Sequence, residues 1–405
     1  MSGSTLPRTP WSSRHAHADF VRLRDLHGAV GFDGDTAMWL VLGYDEARTV
    51  LTEPGWSSDP LSSVSARAAL ASIGLTDSPL ARMMLQRDGA DHRRIRSSLR
   101  DVFSLSFIKG LERGIATIAA ELLDPIANAD PVDLMTAFAL PFPVAVIAEL
   151  LGLDGAGARR LREESAAVAP ALDGLLDPGS AVAAASSMTA LVADFLPLAA
   201  RRRADPADDL ISLLATDPTL DLDEVVVNAI LLAVAGHETT ANAIGGAVVR
   251  LLKERPEGRL VDRLGALDDP AVLDDAAVIG EFLRLDGPAQ SVVRSATSRH
   301  VLGGRTIEPG DTALVIIGAA NRDPSVFEEP DDFRLDRDHA PPHLAFGHGP
   351  HHCLGAALAR AEMRAGLRAV ADRHPSLAGH PVLRSSAVLR GWDSLPVRFE
   401  RGGRR

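Results

Sequence analysis

Phe346-Gly347-His348-Gly349-Pro350-His351-His352-Cys353-Leu354-Gly355 carries the only cysteine of the 405-residue chain. A helical pattern, Ala356 to Val370, follows at once. A thiol at a helix N-terminus meets the positive end of the helix dipole and unpaired backbone N–H groups. Both lower its pKa from about 8.5 and favour the thiolate, the form that ligates metals. Gly347, Gly349 and Gly355 open backbone conformations closed to other residues and leave room for a flat ligand. A structural cysteine beside a glycine-rich turn is the plain alternative, and the glycine and histidine spacing weighs against it.

A single cysteine excludes an intramolecular disulfide and a secreted disulfide scaffold. The composition, 46% hydrophobic and 24% charged, is that of a globular protein with a large core. A net charge of −12 argues against a general nucleic-acid binder, since phosphate affinity is built from clustered Lys and Arg. Only Lys109 and Lys253 are lysines, a codon-usage background without mechanistic meaning. Met1 to Phe20 lacks an apolar run of signal-peptide type. The longest apolar stretch, Val225 to Ala235, is shorter than the roughly 20 residues a membrane span needs. The expectation is a cytoplasmic protein without a membrane or nucleic-acid partner.

The first two-thirds read as successive helices: Val102 to Leu123, Leu134 to Leu151, Ala181 to Arg203 and Val225 to Glu254. Asp124-Pro125, Asp130-Pro131, Asp177-Pro178-Gly179, Asp205-Pro206 and Asp217-Pro218 punctuate them. Strand signals are sparse. Ala37 to Leu42 is one, His300-Val301-Leu302 and Arg305-Thr306-Ile307 flank Gly303-Gly304 as a hairpin, and Ala313 to Ile317 and Leu395 to Phe399 complete the set. The fold class is mainly α with a small β region, in one domain over 1–405 with a flexible N-terminus over about 1–20.

Three other segments carry chemistry. His92 and Arg96 lie four apart in the Arg-rich helical stretch Asp91 to Arg100. That spacing puts them about 5–6 Å apart on one face, a clamp for a carboxylate. Glu281-Phe282-Leu283-Arg284 sets an acid and a base three apart. Ala235-Gly236-His237-Glu238-Thr239-Thr240 interrupts a long apolar helix of about 45 Å with an acid and two hydroxyls. Asp221 with Glu224 resembles a capping box at its start, and Pro256 follows its end. Buried polar groups are costly unless paired, and hydroxyls there can bond the preceding turn's carbonyls and open the helix. A carboxylate beside an alcohol in such a groove suits proton delivery to a bound oxidant.

Together the four segments resemble the cytochrome P450 family, haem-thiolate monooxygenases of the soluble bacterial type, from about Asp88 to Phe399. The cysteine loop agrees with the family pattern Phe-Gly-x-Gly-x-His-x-Cys-x-Gly at every fixed position, beginning at Phe346. The resemblance implies haem b (heme b, iron protoporphyrin IX) with Cys353 as axial iron ligand. It implies that His92, Arg96, Arg294 and His351 contact the haem propionates. It implies a structural triad of Glu281, Arg284 and Arg337, the last in Asp331-Asp332-Phe333-Arg334-Leu335-Asp336-Arg337. Glu238 and Thr239 correspond to the acid–alcohol pair that delivers protons during oxygen activation. Ala319-Ala320-Asn321-Arg322-Asp323-Pro324 is typical of the bacterial branch.

The implied reaction inserts one atom of dioxygen (O2) into an apolar or amphipathic small molecule, a specialised metabolite by analogy with bacterial relatives. Coupling, desaturation and redox-neutral chemistry are the alternatives. The implied pocket involves the segment from about Leu61 to Leu85, with Ala229, Leu232, Ala233, Val292, Val293 and Leu389. No flavin or nicotinamide domain follows the last strand and no dinucleotide fingerprint is present, so electrons are expected from a ferredoxin with its ferredoxin reductase. Arg93, Arg94, Arg100, Lys109 and Arg113 form the expected docking patch, since steering depends on the local field. A zinc protein is the rival from another class, because His343, His348, His351, His352 and Cys353 form a dense His/Cys cluster. It leaves the other three segments unexplained.

Overall fold

The computed structural model describes residues 11–12, 14–72, 79–127, 131–172, 178–253, 270–335, 337, 342–386 and 389–400. Asp130, Asp177, Glu254, Pro256 and Asp336, named above, lie outside the described residues, as does the stretch 73–78.

One helix organises the body. Leu222–Lys253 runs for 32 residues, and nearly all of it from Val225 onward is buried. A helix apolar around most of its circumference must be surrounded by protein. The helices Pro141–Leu151, Gly155–Leu172, Pro178–Ala204, Leu210–Thr216, Ala276–Asp286 and Ala356–Ala371 all pack on it. Its start is capped reciprocally: Glu224 N–H donates to Asp221 Oδ1 at 2.8 Å, and Asp221 N–H to Glu224 Oε2 at 3.1 Å. The helix Leu105–Leu123 lies against Ala356–Ala371, and Ser104 caps its first turn.

Within Pro178–Ala204, the stretch Ala183–Ala204 is long and apolar enough to cross a bilayer by length and composition, although the sequence reading singled out Val225 to Ala235. Its buried residues, Ala184, Met188, Leu191, Phe195 and Ala199, recur every three or four positions and join the main core.

A five-stranded sheet lies beside the helices, in the order Val30–Asp33, Met38–Val41, Thr312–Val315, Val292–Ala296 and Trp56–Ser57. Met38–Val41 pairs in parallel with Thr312–Val315, in register Leu40 to Leu314. All four residues of Thr312–Val315 are buried. The strand expected to reach Ile317 stops at Val315. Ile316 still donates to the Val41 carbonyl at 2.9 Å, and Ile317–Ala320 then coils into a short helix. The hairpin turn has Gly303 at φ +55° and Gly304 at φ +72°. A two-residue turn with positive φ at both positions matches the twist of its strands. Near the C-terminus, Val382–Leu383 pairs with Trp392–Ser394, and Pro396–Phe399 lies between Val132–Asp133 and Pro375–Leu377.

The described residues near the end of the N-terminal stretch 1–20 lie against the sheet. Trp11, Ala16 and Phe20 pack with Leu314, Ile316 and Ala319 in a separate apolar cluster, because the underside of the sheet needs cover.

Candidate active site

The cysteine loop is shaped by backbone hydrogen bonds. Gly347 N–H donates to the Leu344 carbonyl, Cys353 N–H to Phe346, both at 2.8 Å, and His352 N–H to Gly349 at 3.0 Å. Gly349 sits at φ +70°, and a Cβ there would collide with the Leu51 carbonyl. Arg360, one turn into the following helix, stacks its guanidinium 4.4 Å from the Phe346 ring centroid. The Cys353 side chain is accessible yet walled by protein. That enclosure pushes its thiol above the ordinary value, against the Gly355 N–H and the charges of Arg96 and Arg360. The expected lowering of the thiol is thus corrected for the polypeptide alone: desolvation outweighs the helix end. The two arginines are nonetheless placed to favour a thiolate.

A cationic cluster gathers beside this loop from four distant parts of the chain. The His92 and His351 rings lie 4.1 Å apart. His351 Nε2 meets Asp88 Oδ1 at 3.0 Å, and Ser57 Oγ donates to Asp88 Oδ2 at 2.6 Å. Arg96 Nη2 donates to the His352 carbonyl at 2.7 Å, and Arg294 Nη1 to the Val293 carbonyl at 2.8 Å. Neither guanidinium has a carboxylate partner among the described residues. Burial lowers Arg294 to about 10, with Asp88 opposing. Burial, then the charges of His351 and Arg96, lower His92 to about 4. Guanidinium groups gathered here without a directly paired carboxylate make a site for an anionic ligand.

The central helix opens on one narrow stripe. Leu232, Ala235, Gly236 and Thr239 are partly exposed, while the intervening Ala233, Val234, His237 and Glu238 are buried. Positions i, i+3, i+4 and i+7 form a single face. A Cβ added at Gly236 would meet no atom within 4 Å. Thr239 Oγ1 donates to the Ala235 carbonyl and Thr240 Oγ1 to Gly236, both at 2.9 Å. Both hydroxyls bond the preceding turn, as the sequence suggested. Burial raises the Glu238 carboxyl, opposed by Arg384, whose Nη1 donates to Oε2 at 2.9 Å.

Glu281 accepts from Arg284 Nε at 2.8 Å and Nη2 at 2.7 Å, and from Arg337 Nε at 3.0 Å. The backbone N–H of Arg334 adds a fourth bond at 3.0 Å. Arg337 Nη2 also donates to the Glu329 carbonyl at 3.0 Å, which holds Glu329 at φ +44°.

The expected pocket residues separate. Leu232 lies on the open stripe, and Val292, Val293 and Leu389 are partly exposed. Ala229 and Ala233 are buried in the main core, as are Met83 and Met84 from the segment before the His92 helix. Ala235 and Gly236 share the open face with Thr239, a placement the 3.6-residue period of the helix could have given.

The docking patch also divides. Arg93, Arg100, Lys109 and Arg113 are exposed. Arg94 is not free: its Nη2 meets Glu224 Oε1 at 2.6 Å and its Nη1 the Thr219 carbonyl at 2.7 Å. Exposed Leu105 and Phe107, which the sequence reading passed over, add apolar surface near Lys109. The histidines around Cys353 do not form a zinc site: among the described residues no group of three or more His, Cys, Asp or Glu is arranged to hold a metal ion.

Comparison with known proteins agrees with these elements. A family profile, Cytochrome P450, matches residues 276–373. The chain is 35% identical over 386 residues to 6-deoxyerythronolide B hydroxylase of Saccharopolyspora erythraea, covering 92% of each. It is 34% identical to the cytochrome P450 monooxygenase PikC of Streptomyces venezuelae, covering 91% of this chain and 87% of that protein. Among solved structures, P450BioI in complex with an acyl carrier protein superposes with a TM-score of 0.86 at 29% identity, over 96% of this chain and 99% of that one.

Proposed function

The chain belongs to the cytochrome P450 family of haem-iron monooxygenases, and from that premise we propose that it inserts one oxygen atom from O2 into an apolar or amphipathic small molecule of specialised metabolism. The observation that carries this reading is the open stripe Leu232, Ala235, Gly236 and Thr239 on an otherwise buried helix. A small-residue face ending in a hydroxyl leaves room for substrate and oxygen and sets a proton donor at its edge. The relatives named hydroxylase and monooxygenase support insertion over the alternatives of coupling or desaturation.

The residues present fit a haem. Half-buried Arg96 and enclosed Arg294 have no carboxylate partner among the described residues and match the two propionates of haem b. His92 and His351 would complete that clamp, and Phe346 and Cys353 would also hold the haem, Cys353 as the ligand of its iron. When bound, the haem supplies oxygen activation, with the thiolate pushing electron density toward O–O cleavage. The chain's own part is to keep Cys353 beside Arg96 and Arg360, to hold Thr239 against the Ala235 carbonyl, and to present the Glu238 carboxyl as a proton carrier. Electrons would arrive from a ferredoxin with its ferredoxin reductase, docked on the face that carries Arg93, Arg100, Lys109 and Arg113.

An absorbance spectrum of the purified, dithionite-reduced protein with and without carbon monoxide tests the reading. A strongly red-shifted Soret band is expected, and Cys353→His should abolish it while haem is retained. A band at the ordinary position in the unaltered protein would overturn thiolate ligation through Cys353.

A further inference from the structure

The helices Gly155–Leu172 and Pro178–Ala204 leave a groove between them, lined by none of the residues assigned to the haem or to the open stripe. It holds about 400 Å³, within the range of small-molecule sites. Its floor is apolar: Leu161, Leu191 and Phe195 are buried, with Leu153 and Leu198 half-buried beside them. Leu191, Asp194, Phe195, Leu198, Arg201 and Arg202 recur in steps that return to one face of Pro178–Ala204, so that helix supplies a whole wall. The facing wall begins at Ala156-Gly157, whose small side chains keep the groove open.

The charges around the groove are paired unequally. Arg160 Nε meets Asp194 Oδ2 at 2.7 Å, and Arg202 Nε donates to Asp209 Oδ2 at 2.6 Å. Asp154 caps the helix Gly155–Leu172, accepting from Gly157 N–H at 2.8 Å through Oδ1 and from Ala158 N–H at 2.9 Å through its carbonyl. Arg201, exposed at the rim, meets no carboxylate among the described residues. A free guanidinium takes a planar carboxylate through two parallel N–H bonds. Asp154 and Asp194 line the same groove and repel any second negative charge.

We propose that this groove is a second binding site, for an amphipathic monocarboxylate of the medium-chain fatty-acid type. Its carboxylate lies on Arg201 and its alkyl chain on Leu191, Phe195 and Leu198. Both helices that it bridges pack on the central helix, so the occupant braces the helical body from outside the haem site. The site stands independently of the oxygenase reading.

The test uses the full-length holoenzyme carrying para-fluorophenylalanine, with sodium decanoate below its micelle concentration as the probe. The fluorine resonance of Phe195, assigned by its loss in Phe195→Leu, reports on the groove floor. It should shift along a saturable one-site curve, unchanged when the haem is first saturated with imidazole. Arg201→Gln should raise the dissociation constant about tenfold, the loss of a charged hydrogen-bond partner. Octanoate should bind about 10- to 20-fold more weakly than decanoate, since each buried methylene is worth about fourfold. Ala156→Trp, which fills the open wall from an exposed position, should abolish the shift. Absence of a saturable shift overturns the proposal. So does an equal dissociation constant in Arg201→Gln, which reduces the effect to adsorption on apolar surface. A curve abolished by imidazole places decanoate at the haem and overturns it too, as does an unaltered curve in Ala156→Trp. Should Phe195→Leu fail to fold, titration calorimetry of the unaltered, Arg201→Gln and Ala156→Trp proteins reads the same constants.

Discussion

Arg337 donates its Nε–H to Glu281 Oε1 at 3.0 Å across 56 residues of chain, the same oxygen that accepts from Arg284 Nη2. The pair fastens the segment before the cysteine loop to the helix Ala276–Asp286. Arg284 extends the tie through the carbonyls of Asn321, Pro330 and Asp332.

Glu281→Ala leaves Arg284, buried at 3% exposure, without its carboxylate. Removing one partner of a buried pair costs about 3–5 kcal/mol. The expected result is little folded holoprotein, read as haem absorbance per mole of purified chain and as a lowered thermal midpoint. Haem content and midpoint equal to the unaltered protein would contradict the structural role.

Thr239→Ala removes the hydroxyl that bonds the Ala235 carbonyl and ends the open stripe. Haem loading should be unchanged. With ferredoxin-driven turnover, coupled product should fall by about tenfold or more while oxygen uptake continues, the oxygen leaving as hydrogen peroxide. An unchanged peroxide fraction would remove Thr239 from proton delivery.

His237 predicts an acid sensitivity. Burial lowers its folded-state pKa to about 4 from 6.5, despite the Ala233 carbonyl, with Arg384 adding to the lowering. As pH falls from 6.5 toward 4 the unfolded chain binds a proton that the folded chain refuses, so stability is lost through that window. The loss is at most about 3 kcal/mol and levels off below the folded value. His92 and His343, also lowered to about 4 chiefly by burial, act in the same sense. His237→Phe should therefore flatten the fall of the thermal midpoint between neutral and acidic buffer. Parallel curves for the two proteins would refute the assignment.

The divided arginine patch separates docking from stability. Arg100→Glu and Arg93→Glu should slow reduction by an acidic ferredoxin by about 3- to 10-fold at low salt, and the deficit should shrink as ionic strength screens the surfaces. Arg94→Glu places like charge against Glu224 at the start of the central helix, so its main effect should be a lower thermal midpoint. Stopped-flow reduction and thermal melts distinguish the two classes.

Much of this was readable along the chain, because its signals are local. The cysteine loop, the capping box of Asp221 and Glu224, the glycine turn at Gly303-Gly304 and the i, i+3 and i, i+4 pairs each occupy about ten residues or fewer, within which backbone geometry fixes what can meet. The main helices followed from apolar periodicity for the same reason. Relationships between distant segments required the folded molecule. Arg384 has nothing near it in sequence to mark it as the partner of Glu238. Arg94 looks as free as Arg100 until the central helix brings Glu224 against it. The Cys353 thiol was expected low from its helix end, yet desolvation within the folded loop raises it. Local hydrogen bonds and turn propensities are properties of neighbours in sequence, whereas desolvation and charge pairing depend on everything packed around a group.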